Sequence, residues 1–595
     1  LADSPLIIGG ASGFWGEAAH ATRQLLTTPN LNVLVYDYLA EITMSIMARA
    51  RLKDPALGYA TDFVTEAMGD NLGELKRKQV RVLSNAGGVN PQACAKALQI
   101  VAERAGVDLK IATVIGDDLM EDASNFAGAR EMFDGSGFPA PERIASINAY
   151  LGAFPIAAAL DAGADIVITG RCADSALVLA ACIHHFGWRH SDHDLLAAGS
   201  LAGHLLECGP QATGGNFTDW EKAGDLAEIG YPVAEIQADG TFVVSKPPET
   251  AGIVSPASVG EQMLYEIGDP QAYHLPDVIC DFSPVCLQQA GPDRVRASGA
   301  RGRAPTGRLK VSATFMDGYR AGHVLQFNGR NAREKAVAFA EMGLVRARLR
   351  LKALGMEDYQ DSCVEVSGGR PGEGVYEEVA VKVAVRHADA KAVALFLKEI
   401  IGGALAAPPG LHFFTGAGRP KPSPVVRLFS FLVDAADVPV AVLLDGTDIG
   451  FQAPLVPVQD DVAPEKPSVS AAAGKDDDLV PCTLEELAWA RSGDKGNAAN
   501  IGVIARHGDY MPWIWRALDE AAIAQVFVPW LKGEVERFAV PGIGGMNILL
   551  HDVLGGGGIA SLRDDAQGKG YAQILLQVPV MVPRAMVPGT RKGNT

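Results

Sequence analysis

The chain contains no apolar run near the roughly 18 residues that a membrane-spanning helix needs. Its longest clean stretches, such as 176–183, are about half that, and no membrane partner is expected. A basic stripe is also missing. Lys and Arg total 52 against 70 Asp and Glu, a net charge of −18, so the electrostatic footprint of phosphate-backbone binding is absent and nucleic acid is not expected as a partner. Cysteine is sparse. The eight residues at 94, 172, 182, 208, 280, 286, 363 and 482 form no C-x-x-C pair, which fits free thiols in a reducing compartment. The first residues show no basic region followed by an apolar stretch and a small-residue cleavage site, and a cytoplasmic location is the expectation. No internal repeat or long low-complexity tract is found.

What is present is an ordinary globular balance, 48% apolar and 21% charged over 595 residues, too long for one hydrophobic core. The slightly positive mean hydropathy fits large cores or a subunit interface, and a homo-oligomer is expected. In the first half, β-rich runs at 6–10, 32–36, 80–84, 110–115 and 165–169 alternate with helical patterns at 91–105, 153–162 and 175–186. That rhythm means βαβ units and an α/β fold with a mostly parallel, doubly wound sheet, here assigned to residues 1–305. Residues 306–452 read as a mixed α+β subdomain, with strands at 309–315 and 323–327 and a long helix at 332–354. A Pro- and Ala-rich segment, 453–481, reads as an extended, mobile linker. Beyond it, 482–595 make a small domain: a strand at 484–490, a polar loop, a strand at 501–505, a helix at 512–526 and strands at 536–540 and 573–578.

Gly10-Ala-Ser-Gly13-Phe-Trp-Gly16 follows the first strand, where glycines let a phosphate approach a helix N-terminus. Asp37 ends the next strand, at the place where a dinucleotide fold binds a ribose hydroxyl. A nicotinamide enzyme of the short-chain kind would add Tyr-x-x-x-Lys, because the lysine tunes the tyrosine for proton transfer. None of the twelve tyrosines has Lys at +4. A tight strand-to-helix turn without a dinucleotide is therefore preferred, and no strong cofactor motif is present.

Ligands of open parallel sheets bind beyond the carboxyl ends of the strands, and three polar clusters fall there: Asn85, Asp117 with Asp118, and Arg171 with Asp174. Asp117 and Asp118 are able to hold a divalent metal, or to cap the following segment. Arg171 suits an anionic substrate group, or pairs with Asp174. His204, Glu207 and Cys208 share one face of a helix at i, i+3 and i+4. There His204 and Glu207 are candidates for acid/base chemistry and Cys208 for a nucleophile, against the plainer reading of a capped helix end with a buried thiol. Gln211 and Thr213 sit in the glycine-rich loop that follows. His184, His185, His190 and His193 around Trp188 read as a solvated helix end. Arg491, Asp494, Lys495 and Asn497 crowd the polar loop of the C-terminal domain and are assigned to substrate binding there.

Longer segments carry a resemblance. Ile7-Ile-Gly-Gly-Ala-Ser-Gly13, Tyr38-Leu-Ala-Glu41, Gly116-Asp-Asp118, Asn148-Ala-Tyr-Leu-Gly152 and Ala164-Asp-Ile-Val-Ile-Thr-Gly-Arg-Cys-Ala-Asp174 occur in order. His204-Leu-Leu-Glu-Cys-Gly209, Gln211-Ala-Thr-Gly-Gly215 and Glu261-Gln-Met-Leu-Tyr-Glu266 follow. The series resembles the acyclic terpene utilisation (AtuA) family over roughly residues 5–450. Arg491-Ser-Gly-Asp-Lys-Gly-Asn497 with Asn500-Ile-Gly502 looks like the ferredoxin-like α+β domain of fused members. The resemblance implies catabolism of acyclic isoprenoids or other branched acids, whose intermediates travel as CoA thioesters. A lyase or hydratase on an unsaturated branched acyl-CoA or its acid is expected, with His204, Glu207 and Asp117 transferring protons. Asn85, Arg171, Asp174, Gln211, Thr213 and the 491–497 residues would bind substrate. A thioester hydrolase or transferase using Cys208, a non-catalytic acyl-CoA-binding or scaffold subunit, and an NAD-dependent oxidoreductase stay open as alternatives.

Overall fold

The structure is a computed structural model that describes residues 4–17, 20–369, 377–413, 418–454, 456–462, 464–469, 478–558 and 560–588. The chain divides into two compact units. The first combines residues 1–314, 428–553 and 568–595, and the second residues 315–427 and 554–567.

The first unit is built on an eleven-stranded sheet. Its centre is five parallel strands in the order β1 (Leu6–Gly10), β2 (Val33–Tyr36), β3 (Arg81–Ser84), β5 (Ile166–Thr169) and β4 (Ile111–Ile115). β2 and β5 are buried at every position, as central parallel strands are, and this is why they read as unbroken apolar runs. The expected parallel core is therefore present, but "mostly parallel" needs correcting. On the β1 side the sheet continues antiparallel through β6 (Val233–Ile236), β7 (Phe242–Ser245) and the hairpin Cys286–Gly291/Arg294–Ser298. On the β4 side the hairpin Ala441–Leu444/Thr447–Asp448 closes it. The alternating in–out pattern of these flanks, such as buried Phe242 and Val244 alternating with half-buried Val243 and Ser245 in β7, is too short to stand out in sequence.

Two helices of this unit position the site. Helix α1 (His193–Leu206) is buried from Leu196 onward, and helix α2 (Pro256–Leu264) starts with Ser255 accepting from the Ser258 amide, a favourable N-cap followed by Pro at N1.

The C-terminal residues of the same unit form an antiparallel sheet in the order β8 (Ala488–Lys495), β9 (Ala498–Ala505), β11 (Gly545–Leu550), β10 (Val535–Val540). Helices Met511–Ala517 and Glu520–Val526 replace the single expected helix. The expected polar loop is a strand: β8 runs through Lys495, and a two-residue turn, Gly496–Asn497, with Gly496 at φ +63°, leads to β9, the conformation tight hairpins demand. The expected last strand at 573–578 is helix Tyr571–Leu575, with the strand following at Pro579–Pro583.

This sheet docks on α2. A Cβ on Gly260 would lie 2.7 Å from Ile504, and one on Gly502 2.5 Å from Leu264. At one end of the seam Asp219 receives both Arg506 guanidinium nitrogens (2.6 and 2.8 Å) and the Trp489 indole (2.9 Å). Hydrogen bonds from Arg506 chiefly hold its carboxyl well below the usual range. At the other end Asn500 and Asn547, both fully buried, bond to each other and to the carbonyls of Leu264, Ile267 and Gly268.

The described part of the linker makes side-chain and backbone contacts with the first unit. Asp461 accepts two hydrogen bonds from Arg303 (2.7 and 2.6 Å), and the Gln459 amide donates to Thr306. Residues 455, 463 and 470–477 of that segment lie outside the described residues.

The second unit pairs strands Asp361–Gly368, Glu378–His387 and Arg308–Asn328 antiparallel. Helices Ala332–Ala353 and Ala390–Gly402 cover them around Phe327, Phe339 and Phe396. The two strands expected at 309–315 and 323–327 are one strand of 21 residues.

Candidate functional site

The glycine loop after β1 packs on the end of α1. A Cβ on Gly10 would sit 2.5 Å from the Leu206 carbonyl oxygen, and one on Gly13 2.9 Å from both Cys208 Cα and the Glu207 carbonyl oxygen. The Gly13 amide donates to the Glu17 carboxylate, and the next helix begins only at Ala21. These glycines thus serve close backbone contact and bring α1's C-terminal residues to the mouth of the sheet. No phosphate cradle is formed.

Three carboxylates meet at that mouth. Asp37 ends β2, Asp174 follows β5 and Glu207 caps α1, and one oxygen of each lies within 4.8 Å of the others. Asp37 is only 7% exposed. Its Oδ1 accepts from Asn85 Nδ2 (2.6 Å) and the Leu39 amide (3.1 Å). Burial, then the Asp174 charge, pushes the Asp37 carboxyl well above the usual range. Arg171 is buried, donates from Nη1 to Asp174 Oδ1 (2.7 Å) and the Leu39 carbonyl (2.9 Å), and stacks 4.2 Å over the Tyr150 ring.

His204 is 1% exposed. Its Nδ1 lies 2.9 Å from Glu207 Oε1 and its Nε2 3.2 Å from the Met263 carbonyl oxygen. A carbonyl only accepts, so Nε2 carries a proton, and the proton between Nδ1 and Oε1 belongs to the pair. Both ring nitrogens are engaged. His204 therefore holds Glu207 and presents no free nitrogen to a substrate. The other Glu207 oxygen, Oε2, is buried without a hydrogen-bond partner. Burial raises the Glu207 carboxyl, with the His204 contact opposing it.

The C-terminal domain supplies the facing wall. Gly493 lets β8 approach closely, since a Cβ there would lie 2.6 Å from the Tyr265 ring and 2.8 Å from Glu266 Cγ. Two residues on, the Lys495 ammonium sits 5.6 Å from the centroid of Tyr273, whose ring packs on His204. Lys495 has no ion pair among the described residues. Lys569 reaches Glu266 (3.0 Å), Asp494 (3.7 Å) and the Tyr265 hydroxyl. Ser492 fixes this segment by donating to the Gly568 carbonyl and accepting from the Ala572 amide.

Of the residues singled out in the sequence, Asn85, Arg171, Asp174, His204, Glu207 and Lys495 are brought to one place, with Asp494 at its edge. Asp117 lies behind Arg171: it accepts from the Arg171 amide (2.8 Å) and Asn148 (2.9 Å), and burial pushes it up to about 7. Asp118 bonds Arg51 and the Met120 amide. Among the described residues, the group of three acids close enough to share an ion is Asp37, Asp174 and Glu207. Gln211 and Arg491 belong to the seam between sheet and core. Arg491, 5% exposed, donates to Gln211 Oε1 (3.0 Å), Gln262 Oε1 (3.1 Å) and the Gly215 carbonyl (2.7 Å), and lies 3.4 Å from Glu261. Thr213 is fully buried on the Pro210 and Gly230 carbonyls, and Asn497 braces the β8–β9 turn through Asp552. Sequence reasoning passed over Asp37 once the dinucleotide reading fell, and it missed Glu266, Tyr273, Tyr265 and Lys569. Glu266 and Tyr265 lay in a quoted segment; Tyr273 and Lys569 carry no local pattern.

The family model described as "Acyclic terpene utilisation family protein AtuA" matches residues 6–444. The chain belongs to this family. The AtuA ferredoxin-like domain matches residues 482–581, the region of the β8–β11 sheet. No curated protein and no solved structure matches the chain. Among the described residues no helix is long and apolar enough to cross a membrane. In this AtuA protein the segments bearing the carboxylates and the segment bearing Lys495 thus come from the two matched regions. Cys208 lies next to the site, but burial, Glu207 and Glu266 push its thiol well above the usual range, against nucleophilic use.

Proposed function

We propose that this AtuA protein is a lyase of the hydratase or dehydratase kind, acting on an unsaturated branched acyl-CoA or its free acid in acyclic terpene utilisation. The observation that carries the reading is Glu207. One of its oxygens is held by His204 and the other is buried and unpartnered, on a side chain with a carboxylate oxygen within 4.8 Å of oxygens of Asp37 and Asp174. Removing water to give a conjugated carbonyl requires a proton taken from the α-carbon and one delivered to the departing oxygen; adding water takes a proton from the arriving oxygen and delivers one to the α-carbon. A carboxyl group raised by burial in a desolvated pocket is suited to that exchange. His204 is the positioning residue for Glu207. Arg171 is occupied by Asp174, so the cation left for a substrate carboxylate or phosphate is Lys495, with Lys569 at the rim. The family ties the chain to acyclic terpenes; the reaction is the part argued from the site.

The test is turnover of a panel of branched α,β-unsaturated and β-hydroxy acids and their CoA thioesters, followed by the absorbance of the conjugated thioester. Glu207→Gln is expected to abolish turnover with an unchanged circular dichroism spectrum, and Lys495→Ala to raise KM more than it lowers kcat. Absence of turnover across the panel, or full activity of the Glu207 variant, overturns the reading.

A further inference from the structure

The geometry points to a divalent-cation site formed by Asp37, Asp174 and Glu207. Two oxygens of the cluster have nothing to answer them. Asp37 Oδ1 is satisfied by Asn85 and Leu39, yet its Oδ2 has no hydrogen-bond partner among the described residues, on a side chain 7% exposed. Glu207 Oε1 is satisfied by His204, yet Oε2 is sealed from solvent and unpartnered. Arg171 reaches Asp174. Buried carboxylate oxygens without partners are costly, because each forfeits its hydration. One such oxygen on Glu207, beside an Asp37 oxygen without a hydrogen-bond partner and a third carboxylate, leaves a gap with the chemistry of a cation.

The donor set selects the class of ion. All three ligands are hard oxygens, and the one nearby histidine has both nitrogens engaged. Hard oxygen ligands suit magnesium, manganese or calcium rather than zinc or copper. Three carboxylates leave the remaining positions of a six-coordinate ion to water or to a substrate oxygen. His204 becomes the outer partner that orients a ligating carboxylate, and Asn85 does the same for Asp37. The inference rests on the preceding reading only in taking this pocket as the active site. The ion would hold the carboxylate or thioester oxygen of the substrate, and Glu207 would then act as ligand, with proton exchange passing to water on the ion.

The full-length protein, stripped with EDTA and dialysed, is titrated with manganese and followed by the loss of the free-ion electron paramagnetic resonance signal. One saturable site per chain is expected, displaced by magnesium. Asp37→Asn and Glu207→Gln should each weaken it by at least about 100-fold, beyond the upper end for outer partners, and His204→Gln by about 10-fold. Asp118→Asn, on the Arg51 side, should leave it unchanged. Absence of saturable binding by the folded wild-type protein, or binding indifferent to Asp37→Asn and Glu207→Gln, overturns the site. Manganese binding without turnover of any substrate would sink the lyase reading and keep the ion. Turnover that survives EDTA in a protein that binds no manganese would do the reverse.

Discussion

Replacing Arg491 with Met removes the one guanidinium that ties β8 to α2 and to the loop after α1. Four groups lose the guanidinium: Gln211 Oε1, Gln262 Oε1, the Gly215 carbonyl and the Glu261 carboxylate, which keeps only its hydrogen bonds from Thr218. Glu261 is fully buried, and stripping one member from a buried ion pair costs about 3–5 kcal/mol. The pH dependence is more telling than the size. In the wild type, burial raises the Glu261 carboxyl from 4.5 to about 7, with Arg491 opposing the rise. The folded state therefore binds the extra proton: this contribution is full below the unfolded value and is lost as pH climbs to about 7. Above that both states are ionised and the curve is flat. Without Arg491 the folded protein keeps Glu261 neutral further up the scale, so stability goes on falling above about pH 7 by up to about 1.4 kcal/mol per unit. Urea or thermal midpoints measured between about pH 5.5 and pH 8.5 should diverge from wild type with rising pH, and adding Glu261→Gln should remove the divergence. A deficit below about 1 kcal/mol, smaller than the loss of a single buried partner, or one equal at both pH extremes, would refute the reasoning.

Other consequences are open to the same instruments. Gly10→Ala places a methyl 2.5 Å from the Leu206 carbonyl oxygen; it should lower stability by roughly 1–3 kcal/mol, as overpacking does, and disturb Glu207 next along the chain, read as loss of turnover and of manganese affinity. NAD should give no shift in melting temperature, because the Gly13 amide is taken by Glu17 and the loop glycines at 10 and 13 pack against the end of α1; a saturable shift would restore the dinucleotide reading. Alkylation with iodoacetamide near neutral pH should leave activity intact, and Cys208→Ala should remain active, since burial keeps that thiol protonated; rapid inactivation traced to Cys208 would reverse this. Asp117, pushed up to about 7 by burial, contributes stability that is full below about pH 4 and lost as pH rises through about 7; Asp117→Asn should flatten that part of the stability–pH curve, and an unchanged slope would contradict it.

The parallel strands were legible because burial on both faces leaves them few alternatives to Val, Ile and Leu, as in Ile166-Val-Ile. Misreadings came where polar residues sit in regular structure. Asp317 and Gly318 look like a turn, yet the strand runs through them: Asp317 is answered by Arg386 and Arg427, and antiparallel pairing begins at Tyr319 opposite His387. Arg491 to Lys495 look like a loop for the same reason, but Arg491 is met by Gln211, Gln262 and the Gly215 carbonyl, and Ser492 by Gly568 and Ala572. In the site, the local pairs could be read from helical or turn spacing: His204 with Glu207, and Arg171 with Asp174. What spacing does not carry is convergence over long separations. Asp37 and Glu207 lie 170 positions apart in the sequence, and it is the glycine contacts at 10 and 13 that bring their segments together.

Gly493 and Lys495 have a consequence for biosynthesis. The carboxylates are complete before the last hundred or so residues leave the ribosome, while the ammonium groups opposite them are not. A chain cut short ahead of β8 would have the acidic half of the pocket and neither Lys495 nor Lys569. On the proposed reading incomplete copies would be inert, and competence would arrive only with the final sheet.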